Sequence, residues 1–287
     1  MYVEVRGESS RSATLPTPAP GDEEQRDVQR FLAHYEEHGR FPLFTQVQIE
    51  TRTDCNRSCT FCPQSVQTRP LAVMERATFD AVIRQLVDVD FGGRLALFMT
   101  NEPLLDERLP ALIAHARKAS PRFFIDVNSN GNPLDLRQLD RLIAAGLDNI
   151  NIEDYLPDRA TQPERLSPNL AAIADAYAGN PKVTIHRRAT DEKLSNCGGS
   201  VPVETTRADA QHSFCNFPFR NLSIAPSGDV VLCGMDYHYQ NVFGNVRTQH
   251  LADIWHSTAM TTYRLPLLKR DRTGFCANCD VTQYPTV

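Results

Sequence analysis

The sequence predicts an α/β fold built around a parallel sheet, and three observations carry the prediction. Between residues 44 and 188, short apolar runs alternate with stretches whose apolar residues recur at helical spacing. Polar residues collect where the apolar runs end, which is where parallel sheets and barrels build their sites. Five strands are legible, too few for a closed eight-stranded barrel, so a partial barrel or an open sheet fits.

Residues 1 to about 21 are rich in Ser, Pro and Gly, with Pro16, Pro18 and Pro20, and read as a disordered arm. Residues 22–39 read as a helix with Val28, Phe31 and Leu32 on one side. The run Phe44-Thr45-Gln46-Val47-Gln48-Ile49 alternates as a strand does and leads into Cys55-Asn56-Arg57-Ser58-Cys59-Thr60-Phe61-Cys62. Phe79, Val82, Ile83, Leu86 and Val87 then mark one buried helix face. Leu95–Met99 is a continuous apolar run, as in a strand buried on both sides, and ends in Thr100-Asn101-Glu102-Pro103. Leu109, Leu112, Ile113 and Ala116 predict the next helix, and Phe123–Val127 the next strand, ending in Asn128-Ser129-Asn130-Gly131. A helix with Leu136, Leu139, Leu142 and Ile143 stops at Gly146, a C-cap residue. A strand at 149–153, a helix near 164–178 and a strand at 182–186 complete the alternation. The polar strand ends are therefore the cysteine loop, Asn101 and Glu102, Asn128 to Asn130, Glu153 and Asp154, and Arg187 and Arg188.

After about residue 190 the pattern changes. A Pro-Ser-Gly-Asp turn between Ile224 and Cys233 predicts a β-hairpin, and residues 250–269 read as a helix with Leu251, Ile254 and Trp255. The expected division is an arm and leading helix at 1–40, a core at 41–195 and a smaller C-terminal unit at 196–287. No internal repeat is visible.

Composition narrows the class. Apolar residues at 41% and charged residues at 23% suit a globular protein with a real core. A net charge of -5 gives no basic footprint for nucleic acid or membrane surfaces. No stretch reaches about 18 consecutive apolar residues, and no secretory apolar segment opens the chain, so a cytoplasmic, thiol-reducing setting is expected. There the 8 cysteines read as metal ligands or reactive thiols, not disulfides.

Seven of them fall into two sets. Cys55, Cys59 and Cys62 sit at C-x3-C-x2-C spacing, which supplies three corners of a metal site and leaves one open for chemistry. Zinc with a distant His186 or His212 is the plain alternative. Cys215, Cys233, Cys276 and Cys279 make a closed set of four, which by itself suits structural zinc and an iron–sulfur cluster equally.

The first set, with aromatic Phe61 before its third cysteine, resembles the signature of the radical S-adenosylmethionine (SAM) enzymes. That resemblance implies a partial (β/α)6 barrel in which the three thiolates hold a [4Fe–4S] cluster. It further implies that SAM chelates the open iron and is cleaved reductively to a 5′-deoxyadenosyl radical. Glu102-Pro103 matches the end of the family's Gly-Gly-Glu-Pro motif, with Asn101 in place of the last glycine. The implied SAM contacts are Phe61, Asn101, Glu102, Ser129, Asn130 and Arg188. The C-terminal part resembles the twitch domain, a short form of the SPASM domain. The resemblance rests on Cys215, Gly228-x4-Cys233, Gly244-Asn245-Val246, Leu251–Trp255 and Cys276-x2-Cys279, and implies one auxiliary [4Fe–4S] cluster. An external one-electron reductant of flavodoxin or ferredoxin type follows as a partner.

Cys197, in Asn196-Cys197-Gly198-Gly199, is left over. Related aminocyclitol dehydrogenases carry an arginine near this place. A thiol can return a hydrogen atom to a carbon radical, so the leading expectation is an epimerase acting on a sugar, aminocyclitol or nucleoside intermediate, with Cys197 as hydrogen donor. An inert buried thiol is the plain reading of the same residue. The alternative function is a dehydrogenase that oxidises a secondary alcohol. Glu153, Asp154, Arg187 and Arg207 are candidate substrate contacts. A peptide-modifying enzyme fits less well, because only about 40 residues precede the first core strand. A zinc-stabilised binding protein without catalysis is the reading from a different class.

Overall fold

The alternating run at 44–51 forms strand β1, Gln46–Ile49, with Val47 and Ile49 fully buried. The computed structural model describes residues 22–66, 69–158, 160–190, 195–202 and 213–281. The expected arm at 1–21, together with Arg207 and His212, lies outside these residues.

Helix and strand alternate from β1 onward. They run through α2 (Arg76–Asp88), β2 (Arg94–Ala96), α3 (Leu109–Ala119), β3 (Phe124–Ser129), α4 (Leu136–Ala144), β4 (Asn149–Leu156), α5 (Pro168–Ala176) and β5 (Val183–Ala189). Every pairing among these strands is parallel, in the order β5-β4-β3-β2-β1. Parallel strands need crossovers, and the buried faces of α2, α3 and α4 supply the apolar cover. Gly131 turns the chain out of β3 at φ +71, and a Cβ there would stand 2.7 Å from Ile152, so close strand packing also requires glycine.

The C-terminal part joins the same sheet. A short helix α6 (Phe217–Arg220) leads into β6 (Asn221–Ile224), which pairs parallel to β1 with Val47 opposite Leu222. The first strand of the expected hairpin is thus the sixth parallel strand of the core. Its two polar residues, Asn221 and Ser223, hide this in the sequence, yet all four residues of the strand are buried. Asn221 and Ser223 bond each other at 2.8 Å and meet the Gln48 side chain at 3.3 and 3.4 Å. Strands β7 (Asp229–Val231) and β8 (Val242–Asn245) follow antiparallel. The single helix expected at 250–269 is two, α7 (Leu251–Trp255) and α8 (Thr258–Leu268), because Ser257 caps a fresh start by accepting from the Met260 N–H.

Two apolar cores result. The larger lies between the sheet and its helices. The smaller holds Phe31 of helix α1 (Asp22–His38) against Phe214 and Phe219, with ring centroids 6.2 and 5.0 Å apart. The leading helix therefore packs on the cysteine-bearing C-terminal part. Asp27, buried on its inner face, is gripped by both carboxylate oxygens on Arg220 at 2.5 and 2.7 Å.

Candidate active site

The loop after β1 carries Cys55, Cys59 and Cys62, all half-buried. Backbone N–H groups of Arg57 and Gln64 point at the sulfurs of Cys55 and Cys62, the arrangement that favours thiolates. Burial works the other way, pushing Cys55 up to about 11 and raising Cys62. The loop leans across several strand ends. Phe61 is buried against Tyr155 of β4 with centroids 5.4 Å apart, Arg57 reaches the Tyr155 carbonyl at 3.3 Å, and Thr60 reaches Thr190 beyond β5 at 3.3 Å.

The ends of β2 and β3 are locked together behind this loop. Glu102 is 1% exposed, and its carboxylate accepts from the Leu104 N–H at 3.0 Å, the Ser129 hydroxyl at 2.8 Å and the Asn130 N–H at 2.8 Å. Burial raises the Glu102 pKa, while these three bonds hold it down. Glu102 and Ser129 therefore bond each other, and the only hydroxyl proton of Ser129 is already given. Asn130 faces the cysteines: its Nδ2 lies 3.6 Å from the Cys55 sulfur and 2.7 Å from the Asn56 side-chain oxygen. Asn101 accepts from the Met99 N–H at 3.0 Å, and its Nδ2 is buried with no hydrogen-bond partner. A buried amide donor without a partner is costly and suits a ligand acceptor.

The remaining strand-end candidates divide. Arg188 pairs with Glu153 at 2.6 Å across β5 and β4. Arg187 lies 3.4 Å from Glu164. Asp154 is 2% exposed and accepts from the Ser167 N–H and hydroxyl at 3.0 and 2.6 Å, so it anchors the start of α5.

One element of the site was invisible in the sequence. Glu50, fully buried at the end of β1, accepts from Arg69 at 2.8 and 3.1 Å, from Thr100 at 3.1 and 3.2 Å, and from the Tyr239 hydroxyl. The Arg69 guanidinium sits over Tyr237 and Tyr239 at 4.1 and 4.8 Å. Gln64 bonds the Thr53 and Thr100 carbonyls at 2.8 and 3.2 Å and receives the Tyr237 hydroxyl at 3.1 Å. This knot ties the first cysteine loop to the segment that follows Cys233.

The second set is enclosed. Cys215, Cys233, Cys276 and Cys279 are all buried, and each thiol is raised by burial, Cys215 up to about 12. Cys215, Cys233 and Cys276 lie together in the smaller apolar core, and Cys279 follows Cys276 by three residues. The Tyr263 hydroxyl lies 3.6 Å from the Cys276 sulfur. Arg272, 7% exposed, bonds the Cys279 carbonyl at 3.0 Å and favours the thiolates of Cys215, Cys276 and Cys279.

Cys197 lies between the sets. It is buried at the head of a 3₁₀ turn, Cys197–Gly199, with φ +47, a left-handed conformation that a non-glycine residue adopts at a cost. Burial, then the charges of Cys62 and Cys279, push its thiol up to about 12. Asp280 clamps the turn to the second set, accepting from the Ser195 hydroxyl at 2.7 Å and the Asn196 N–H at 3.1 Å. Gly198, at φ +66, packs on the Phe275 ring, where a Cβ would come within 2.1 Å.

The donor sets fit iron–sulfur chemistry: three thiols with an open face and four enclosed ones, with the Asn130 amide and the Tyr263 hydroxyl against the sulfurs of Cys55 and Cys276. Among the described residues no three His, Cys, Asp or Glu side chains gather tightly enough for a single metal ion.

Residues 49–153 match the radical SAM superfamily, and residues 215–280 match the SPASM iron-sulfur cluster-binding domain. The chain is a radical SAM enzyme with a C-terminal SPASM domain. Its cofactors are SAM, the [4Fe–4S] cluster of the radical SAM domain and an iron–sulfur cluster in the SPASM domain. It is 28% identical over 248 residues to the S-adenosyl-L-methionine-dependent 2-deoxy-scyllo-inosamine dehydrogenase of Niallia circulans, covering 85% of this chain and 96% of the relative. It is 34% identical over 147 residues to the GTP 3',8-cyclase of Chlorobaculum tepidum, covering 48% of this chain and 42% of that enzyme. Among solved structures, BtrN in complex with AdoMet and 2-DOIA superposes with a TM-score of 0.74 at 28% identity, covering 84% of this chain and 94% of BtrN. No helix among the described residues is long and apolar enough to cross a membrane.

Proposed function

We propose that this radical SAM enzyme removes hydrogen from a hydroxyl-bearing carbon of an aminocyclitol or similar sugar-like molecule and oxidises it to the ketone. The observation that carries the reading is the dehydrogenase likeness across 96% of that relative's length. It favours oxidation over the inversion expected from the sequence. Cys55, Cys59 and Cys62 would hold the first cluster, and Cys215, Cys233, Cys276 and Cys279 the second. When bound, SAM and its cluster supply a 5′-deoxyadenosyl radical, and the auxiliary cluster supplies a one-electron acceptor. Asn101, Asn130 and Arg188 present the polar groups suited to SAM, while Phe61, Glu102 and Ser129 shape and brace the wall behind them. A flavodoxin- or ferredoxin-type protein is the external reductant in this reading.

A second reading, inversion of the same carbon, is favoured by Cys197. Its raised pKa keeps the S–H intact at neutral pH, and it sits between the two thiol sets. The S–H would break, a C–H would form on the face opposite the abstraction, and the sulfur radical would take one electron from the reductant and one proton from solvent.

Anaerobic turnover with SAM, a reductant and a panel of aminocyclitols in D2O separates the readings. Oxidation yields a product two hydrogens lighter, without solvent deuterium, and persists in Cys197→Ala. A product carrying one deuterium at an inverted carbon, lost in Cys197→Ala, would replace oxidation by inversion.

A further inference from the structure

The SPASM domain carries two groups that no comparison assigns and that the radical chemistry does not use. Tyr263 lies on α8, its ring edge-on to Phe243 at 5.8 Å, and its hydroxyl is 3.6 Å from the Cys276 sulfur. That is a hydrogen-bond distance for a sulfur acceptor, and an O–H beside a thiolate can only donate to it. A phenol keeps its proton at neutral pH, so this donor is always available. Arg272 is the second group. Its guanidinium is fixed by the Ser213 carbonyl at 2.9 Å, the Ser213 hydroxyl at 3.3 Å and the Cys279 carbonyl at 3.0 Å. It thus places a full positive charge inside the buried four-cysteine site.

Both groups act in one direction. A reduced cluster carries one more negative charge than an oxidised one. A hydrogen bond to a ligand sulfur and a buried cation each stabilise the more negative state, and so raise the reduction potential. The cysteine loop of the radical SAM domain is built differently: a neutral amide, Asn130, meets the Cys55 sulfur, and the nearby Arg69 guanidinium is offset by the Glu50 carboxylate at 2.8 and 3.1 Å.

We propose that the Tyr263 hydroxyl and the Arg272 guanidinium tune the auxiliary cluster upward in potential, making it the electron-accepting member of the pair. Tyr263 is a positioning residue in this role and touches no reacting carbon. The inference rests on a cluster at the four cysteines and not on the choice between oxidation and inversion.

The test is an EPR-monitored redox titration of the anaerobically reconstituted holoenzyme and its Tyr263→Phe variant, with iron and labile sulfide counted in both. Phenylalanine keeps the ring contact and removes only the donor. At a fixed potential the variant should show about a tenfold lower ratio of reduced to oxidised auxiliary cluster, a shift of about 59 mV for a one-electron couple. The radical SAM cluster should titrate as in the wild type. Proton ENDOR of the reduced auxiliary cluster should show an exchangeable coupling in the wild type that Tyr263→Phe lacks. Equal potentials in the two proteins, or a coupling that survives in the variant, would overturn the proposal. An iron count in the wild type that accounts for the radical SAM cluster alone would instead remove the auxiliary cluster itself, and the proposal with it.

Discussion

The two cysteine sets use the same ligand in opposite surroundings. The three-thiol loop is half-buried and ends a parallel strand, and a neutral amide, Asn130, approaches one sulfur. The four-thiol site is fully buried under the smaller apolar core, with a hydroxyl and a fixed cation against it. A site that must admit and release SAM needs an open face; a site that only exchanges electrons is better closed. On the reading proposed above, exposure and electrostatics, more than ligand identity, divide the labour between the sets.

The largest effect expected from breaking this division is at the loop. Cys59→Ala should abolish 5′-deoxyadenosine formation, whereas Cys279→Ala should still cleave SAM and lose the product, as chromatography of both would read. Next comes the turn between the sets. Gly198→Ala adds a methyl at φ +66 against the Phe275 ring. By pressing on Phe275, the neighbour of Cys276, it should disturb the auxiliary site and uncouple SAM cleavage from product by at least about tenfold, a cost of about 1.4 kcal/mol. Asp280→Ala should do less. It leaves the Ser195 hydroxyl and the Asn196 N–H without their acceptor, at a cost of about 1–3 kcal/mol in folding stability, measured by denaturant titration.

The smallest effect is on acid stability beside the radical SAM loop. Arg108 donates to Asp106 at 2.7 and 2.8 Å and holds its pKa below the usual 3.8. A depressed folded pKa contributes stability that is full above the unfolded value and lost as pH falls through the folded one. Arg108→Gln should therefore lower stability slightly near pH 7, with the deficit shrinking to nothing as pH falls through the folded pKa of Asp106, as denaturant titrations at a series of pH values would read.

What the sequence made legible was short-range. The C-x3-C-x2-C loop, Glu102-Pro103 and the closing C-x2-C pair each lie within a few residues, so spacing alone exposes them. The alternation of β1 to β5 was legible because buried parallel strands are apolar runs. What stayed hidden depends on distant partners. Glu50 meets residues 19 and 189 positions away, and nothing local in Ile49-Glu50-Thr51 marks a buried carboxylate. Strand β6 was missed because Asn221 and Ser223 read as surface residues until Gln48 supplies their partner. Glu102 and Ser129 were both picked out as SAM contacts; their mutual hydrogen bond, across 27 positions, shows only in the fold.

The account stands on both sets holding cubane clusters, and iron with labile-sulfide analysis tests that most directly. The anaerobically reconstituted wild type should hold about eight irons and about eight labile sulfides per chain, falling to about four of each in either Cys59→Ala or Cys279→Ala. Two zinc ions per chain with no labile sulfide would contradict it.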